Sequence, residues 1–207
     1  PHVVHVHHPF LLGSTGQIIA ADRGIPLVYT HHTRYAVYIE TKTDWPRPFE
    51  EGILELITGF CELCDSVVAP SQGIKSLLRQ RGISGRIDVI PTGVDVDKFS
   101  CGDRSRLRRE LDLRPEAFIV GHVGRLAPEK NCGFLCAAVA EFLRQSPAAV
   151  FVIAGDGPER ECFEQLLQQA GLAGRCHFLG FREGSDLVDT YTSCDVFAFA
   201  SHSETQG

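Results

Sequence analysis

Short apolar runs alternate with amphipathic ones along the whole chain. The stretches "HVVHVH" (2–7), "PLVYTH" (26–31), "SVVAP" (66–70) and "RIDVIP" (86–91) have strand length and are rich in β-branched residues. Between them apolar positions recur with helical spacing, which predicts helices near 13–23, over 49–63 and over 71–82, the last with Ser71 as N-cap and Gly82 just past its end. A second series follows: helix 103–112, strand 117–123, helix 132–145, strand 149–154, helix 158–170, strand 175–179, helix 185–193 and strand 195–199. The late runs "AVFVIAG" and "DVFAFAS" are continuously apolar, as expected of parallel strands covered on both faces. Strands alternating with helices predict βαβ units, so the expected fold is α/β with two Rossmann-like lobes. "PTGVDVDKFSCGDRSR" (91–106) breaks the pattern and marks the boundary, giving lobes 1–96 and 97–207. Both lobes read as incomplete: the first opens in mid-sheet at Pro1 and the second stops eight residues after a strand.

Composition narrows the class. With 43% hydrophobic and 22% charged residues, the 207-residue chain is an ordinary globular sequence. Net charge is −6 and neither half is basic, which argues against nucleic-acid binding. No apolar run approaches the ~18 residues of a membrane span, and no signal-like segment opens the chain, so a cytoplasmic location is expected. Seven of the eight cysteines fall inside regular elements and read as free, buried thiols. Cys61 and Cys64 have metal-ligand spacing but no second pair, so no metal site is assigned to them.

The candidate chemistry lies in loops that follow strands, where ligands bind in doubly wound sheets. "VGHVGRLAPEKN" (120–131) is a strand broken at Gly124, with Arg125 and Lys130 in a short loop before an apolar helix. Asn131 is placed to cap that helix, whose N-terminal amides favour an anion. A guanidinium fork and a lysine beside a helix N-terminus suit a diphosphate, unless the loop is merely solvated or Arg125 pairs with Glu129. "AGDGPE" (154–159) is a Gly-rich turn in which Gly155 lets a ligand approach the backbone. Phe181 and Arg182 stand at a strand end, where they border a flat base or cover the sheet edge. In "SHSETQG" (201–207) Glu204 is a candidate acceptor for sugar hydroxyls, with Gln206 and Gly207 beside it, or simply a first-turn acid behind a capping serine. Histidines gather at two strand ends, His5, His7 and His8, then His31 and His32. A hydrogen-bonding or proton role suits them better than a metal, and packed histidines are the alternative. Four arginines in "RSRLRREL" (104–111) could touch an anionic membrane surface or form a solvated helix face; Trp45 and Phe49 could border an apolar acceptor or simply pack.

Taken in order, "VIPTGVDVDKF", "GHVGRLAPEKN", "FVIAGDGPE", "HFLGF" and "CDVFAFASHSETQG" resemble the donor-binding lobe of retaining glycosyltransferases of family four, which have the GT-B architecture. "HHPFLLG", "THHTRY" and "VVAPSQGIKSLL" carry the resemblance through the first lobe. It implies transfer of a hexose from a UDP- or GDP-sugar to an acceptor hydroxyl, with retained configuration, no cofactor and no metal. Arg125 and Lys130 would hold the diphosphate, with Gly124, Asn131 and Gly155 lining the same donor site. Phe181 would border the base, and Glu204, Gln206 and Gly207 the transferred sugar. His32 would lie beside that sugar, and His7 and His8 on the acceptor side. The family's second glutamate, eight residues after the first, would fall past Gly207, and Thr92 stands where asparagine is frequent. The resemblance therefore reads the chain as a fragment of a longer enzyme. It leans toward members that glycosylate lipids, with a peripheral membrane contact, although a glycan acceptor stays open. The same architecture also serves sugar-nucleotide epimerases, phosphorylases and non-catalytic binding modules.

Overall fold

The computed structural model describes residues 1–42 and 45–206, the side chains of 38 and 40–42 excepted. The chain divides into two compact units: Pro1–Gly93 with the segment from Ser203 onward, and Val94–His202.

In the first unit β1 (Val4–Val6), β2 (Leu27–Thr30), β3 (Ser66–Ala69) and β4 (Ile87–Val89) form a parallel sheet in chain order. Tyr29 pairs with Val6 on one side and Val67 on the other. Four helices accompany the sheet: α1 (Leu12–Arg23), α2 (Tyr35–Lys42), α3 (Arg47–Glu62) and α4 (Gln72–Gln80). The core joins Val6, Leu27, Tyr29, Phe60, Val67 and Leu78. Gly13 and Gly16 let α1 lie on the end of β1: a Cβ on Gly13 would sit 1.8 Å from the His8 carbonyl oxygen, and one on Gly16 2.6 Å from Val6 Cγ1. Ser71 caps α4 as expected, accepting from the Ile74 amide at 3.3 Å. The sequence pattern did not show α2; Tyr35 and Ile39 pack with Ile57 of α3 in a separate small cluster, so tertiary contact defines this helix.

In the second unit β5 (Phe118–Val123), β6 (Ala149–Ala154), β7 (Cys176–Gly180) and β8 (Val196–Phe197) are all parallel, in the order β7-β6-β5-β8. The chain moves outward from β5 to β7 and then returns to the other side of β5. That reversal opens a crevice at the carboxyl end of β5, the usual ligand position in such sheets. Successive residues face opposite layers. Val120, Phe151 and Ile153 pack in a cluster with residues of α7 (Cys132–Gln145) and α8 (Arg160–Gln169), while Ile119 and Val152 pack with Leu107. Each fully buried large apolar side chain contributes roughly 1.5–3 kcal/mol.

Local chemistry shortened one expected helix and added another. The helix expected at 103–112 spans only Arg106–Glu110 (α6). Asp103 accepts from the Ser105 amide and hydroxyl before it, and Asp112, at φ 50°, ends it. A short α5 (Val96–Ser100) appears because Asp95 accepts from the Lys98 amide at 3.0 Å. The strand expected over 195–199 is reduced to β8, although Ala198 still donates to the Gly121 carbonyl. The last helix, α9 (Gly184–Ser193), carries Asp186 and Asp189.

Those acids meet the arginines of 104–109. Arg106 pairs with Asp186 at 2.7 Å and Asp189 at 2.8 Å, Arg109 with Asp103 at 2.8 Å, and Arg104 with Asp195. Arg108 is buried, donating to Asp195 at 3.0 Å and to the Ser193, Ala117 and Arg104 carbonyls. Every one of the four has a carboxylate partner, but Arg104, Arg106 and Arg109 stay about half exposed, so apart from buried Arg108 this stretch is a salt-bridged, solvated face. The thiols also depart from expectation. All eight are free, but Cys101 and Cys162 are exposed, and Cys176 and Cys194 only partly buried. Cys61 and Cys64 are core residues whose thiols burial pushes up to about 12. Among the described residues no helix is long and apolar enough to cross a membrane.

Candidate functional site

The predicted site residues fall into two groups, one in each unit. In the second unit three strand-end loops lie backbone against backbone. Gly124 donates to the Ala154 carbonyl at 2.9 Å, Gly155 to Gly180 at 2.7 Å, and Leu126 to Asp156 at 2.9 Å. The glycines of "AGDGPE" serve this contact: a Cβ on Gly155 would lie 1.8 Å from the Gly124 oxygen, and one on Gly157 2.2 Å from the Leu126 oxygen. The expected approach to a ligand is thus first an approach between two loops. Beside it is a cavity of about 380 Å³ lined by Val123, Gly124, Arg125, Gly155, Phe181 and Arg182 among others. Phe181 is 78% exposed and forms an apolar wall. Arg182 is fixed by two bonds to Glu110, one of them 3.1 Å.

Arg125 pairs with Glu129, the alternative that the sequence left open. Its own side chain remains half exposed while the carboxylate is largely covered. Lys130 closes a short 3₁₀ turn and holds its ammonium 5.5 Å from the centre of the Phe199 ring. Asn131 does not cap α7 through its side chain. It takes the left-handed conformation, φ 55°, and turns its amide toward His202 Nε2 at 2.7 Å. The His202 amide and Ser201 hydroxyl both donate to the Glu129 carbonyl. The loop carrying the two cations is therefore clamped by the 201–202 turn, a role the sequence did not reveal for His202 because its signal is purely tertiary. A larger cavity, about 700 Å³, sits at the amino end of β5 and is lined by Arg104, Arg108, Arg109 and Asp195. It lies away from the carboxyl ends of the strands, where ligands bind in such sheets, so the smaller cavity is the better ligand site.

In the first unit the imidazoles converge. The His5 and His7 rings are 4.4 Å apart, and His7 stacks on His32 at 5.5 Å. His5 Nε2 bonds the Thr30 hydroxyl at 2.7 Å. Burial and neighbouring imidazoles hold His5 and His32 below the ordinary histidine value. His31 is buried beside the Tyr29 hydroxyl and belongs to the core rather than the rim. His8 accepts from the Phe10 amide at 3.2 Å and borders an apolar recess of about 450 Å³ with Phe10, Thr33, Tyr35, Trp45 and Ile53. Trp45 and Phe49 meet edge to face at 5.1 Å. The 203–206 segment is tied to the same unit. The Ser71 hydroxyl donates to the Thr205 carbonyl, the Thr205 hydroxyl to the His32 carbonyl, and the Gln206 side chain spans both backbone groups of Thr92. Glu204 lies in this segment, while Gly207 falls outside the described residues.

Two parallel-sheet, Rossmann-like halves with their strand-end loops place the protein among the GT-B folds. The first half matches the profile "Glycosyltransferase Family 4" over residues 1–98, and the second matches "Glycosyl transferases group 1" over 103–207. The chain belongs to this glycosyltransferase family. An alpha-monoglucosyldiacylglycerol synthase of Acholeplasma laidlawii is 29% identical over 99% of this chain and 54% of its own length. A D-inositol 3-phosphate glycosyltransferase of Segniliparus rotundus is 33% identical over 99% of this chain and 47% of its own. The Anabaena Alr3699/HepE protein, solved with UDP and glucose, superposes with a TM-score of 0.76 at 27% identity, covering 97% of this chain and 52% of that one. The chain thus spans about half the length of the curated relatives it matches.

Proposed function

We propose that the protein transfers a hexose from a UDP-sugar to a hydroxyl of a lipid or glycan acceptor, with retained configuration and without a metal ion. The observation that carries this reading is the cavity at the carboxyl ends of β5 and β6, bounded by the cationic loop on one side and Phe181 on the other. It offers a flat apolar wall for a base beside positive charge for a diphosphate. Support for uridine comes from HepE, solved with UDP-glucose as well as with UDP and glucose. Support for a lipid comes from the synthase relatives and from the apolar recess next to His8.

In this reading the acceptor oxygen forms a bond to the anomeric carbon as the carbon–phosphate oxygen bond breaks. The acceptor's proton passes to the departing phosphate. The charge that builds there is met by Arg125 and Lys130, a preorganised electrostatic contribution. His32, Glu204, Gln206 and Gly207 orient the sugar, and His7 and His8 border the acceptor. Calorimetry with UDP-glucose, UDP-galactose, UDP-N-acetylglucosamine and GDP-mannose tests the donor. One of the UDP-sugars should bind, and Arg125→Ala should weaken it roughly tenfold to a hundredfold, the scale of one charge-assisted contact. Unchanged affinity in that variant removes Arg125 from the site. Conversion of the nucleotide sugar in the absence of any acceptor would indicate an epimerase instead.

A further inference from the structure

His122 on β5 stands two residues before Gly124 and is 1% exposed. Its Nδ1 lies 3.0 Å from the Ala198 carbonyl oxygen. A carbonyl only accepts, so Nδ1 carries the ring hydrogen and Nε2 presents a lone pair. Burial and the nearby charge of Lys130 keep the ring neutral. Nε2 is itself buried and has no partner among the described residues. A buried acceptor without a donor is costly and calls for an explanation.

The surroundings supply one. The ring lies nearly parallel to Phe197 and Phe199, with centroids 6.4 and 6.1 Å away, and the three rings form one cluster. Phe199 is also the ring beneath the Lys130 ammonium. The Nε2 edge faces the backbone of Gly124: a Cβ there would lie 3.7 Å from Nε2 and would meet no residue but His122 within 4 Å. The lone pair thus sits at the root of the loop that carries Arg125 and Lys130. A diphosphate oxygen brings no proton to it at neutral pH; a hydroxyl or a water does.

We propose that His122 is a positioning residue of the donor site, its Nε2 accepting a hydrogen bond from an O–H group that arrives with the donor beside Gly124. The inference rests on the donor reading given above. The O–H belongs either to the transferred sugar or to a group that UDP also brings, a ribose hydroxyl or a water held by the diphosphate, and two probes separate these two sources. The full chain is titrated with UDP and with UDP-glucose, as wild type, His122→Phe and His122→Gln. Phenylalanine keeps a flat ring and removes the acceptor; glutamine returns an oxygen near the Nε2 position. The expected result is a loss of roughly tenfold in affinity with His122→Phe and a return to within about threefold with His122→Gln. Loss for UDP-glucose alone assigns a hydroxyl of the transferred sugar; loss for both ligands assigns an O–H that UDP also brings, a ribose hydroxyl or a water held by the diphosphate. In the wild type, the ¹⁵N resonance of His122 Nε2 should shift on saturation with the ligand so assigned. A folded His122→Phe variant that binds both ligands as tightly as wild type overturns the inference and leaves the ring as core packing. If that variant does not fold, an Nε2 resonance unmoved by saturating UDP-glucose overturns it. If wild type binds no nucleotide sugar, the donor reading itself falls and this inference with it.

Discussion

At the scale of single residues, identical side chains serve opposite ends. His31 and His32 are neighbours in sequence, yet one is buried beside Tyr29 and the other stacks on His7 at the strand ends. Burial, the charge of Arg81 and the presence of His32 hold His31 down to about 4, against an ordinary 6.5. The unfolded chain therefore takes up a proton near 6.5, whereas the folded chain resists until about 4. Stability is full above the first value and falls as pH drops toward the second, by up to on the order of 3 kcal/mol. Urea melts between pH 7 and pH 4 should show this slope, and His31→Phe should flatten it; an equal slope in the variant would place the titration elsewhere. The sequence presented five histidines at two strand ends and gave no means of dividing them, because burial is decided by which strand face turns inward.

At the scale of elements, what was legible followed from period and length. The helix expected over 132–145 is found as Cys132–Gln145 and the strand over 149–154 as Ala149–Ala154, since both are long and strongly patterned. Short elements depended on single contacts that no period records: Asp95 under α5, Asp103 and Asp112 around α6, Ile57 against α2. The candidate site shows the same division. Residue types and order pointed to Arg125, Lys130 and Phe181, but the clamp by His202, the fixing of Arg182 by Glu110 and the lone pair of His122 arise only from folding. The Gly-rich turn after β6 is the instructive case, since Gly155 answers to a neighbouring carbonyl as well as to its own positive φ of 141°. Gly155→Ala should cost roughly 2–4 kcal/mol, because the obstructing atom is backbone and cannot swing aside. Denaturant unfolding of the second unit checks this, and a cost near zero would mean the two loops separate easily.

At the scale of the whole molecule, the chain is acidic, net −6, yet the proposed ligand is an anion. Long-range attraction therefore contributes little, and recognition falls to a few groups at the carboxyl end of one sheet. Hydrogen exchange followed with and without UDP should register protection over 124–131, 154–157 and 178–182 and no change over 66–90; protection spread evenly over both units would point to a different binding place. The pairing of Arg125 with Glu129 adds a consequence. Because the guanidinium already has a resident counterion, a ligand enters by exchange, and its contact with Arg125 is set against the one that Glu129 gives up. A singly charged anion resembles that carboxylate and gains almost nothing by replacing it. A diphosphate that brought more charge to the same fork and reached Lys130 as well, as proposed, would gain. On the proposed donor reading, the internal ion pair would work as a threshold that favours a nucleotide diphosphate over small singly charged anions.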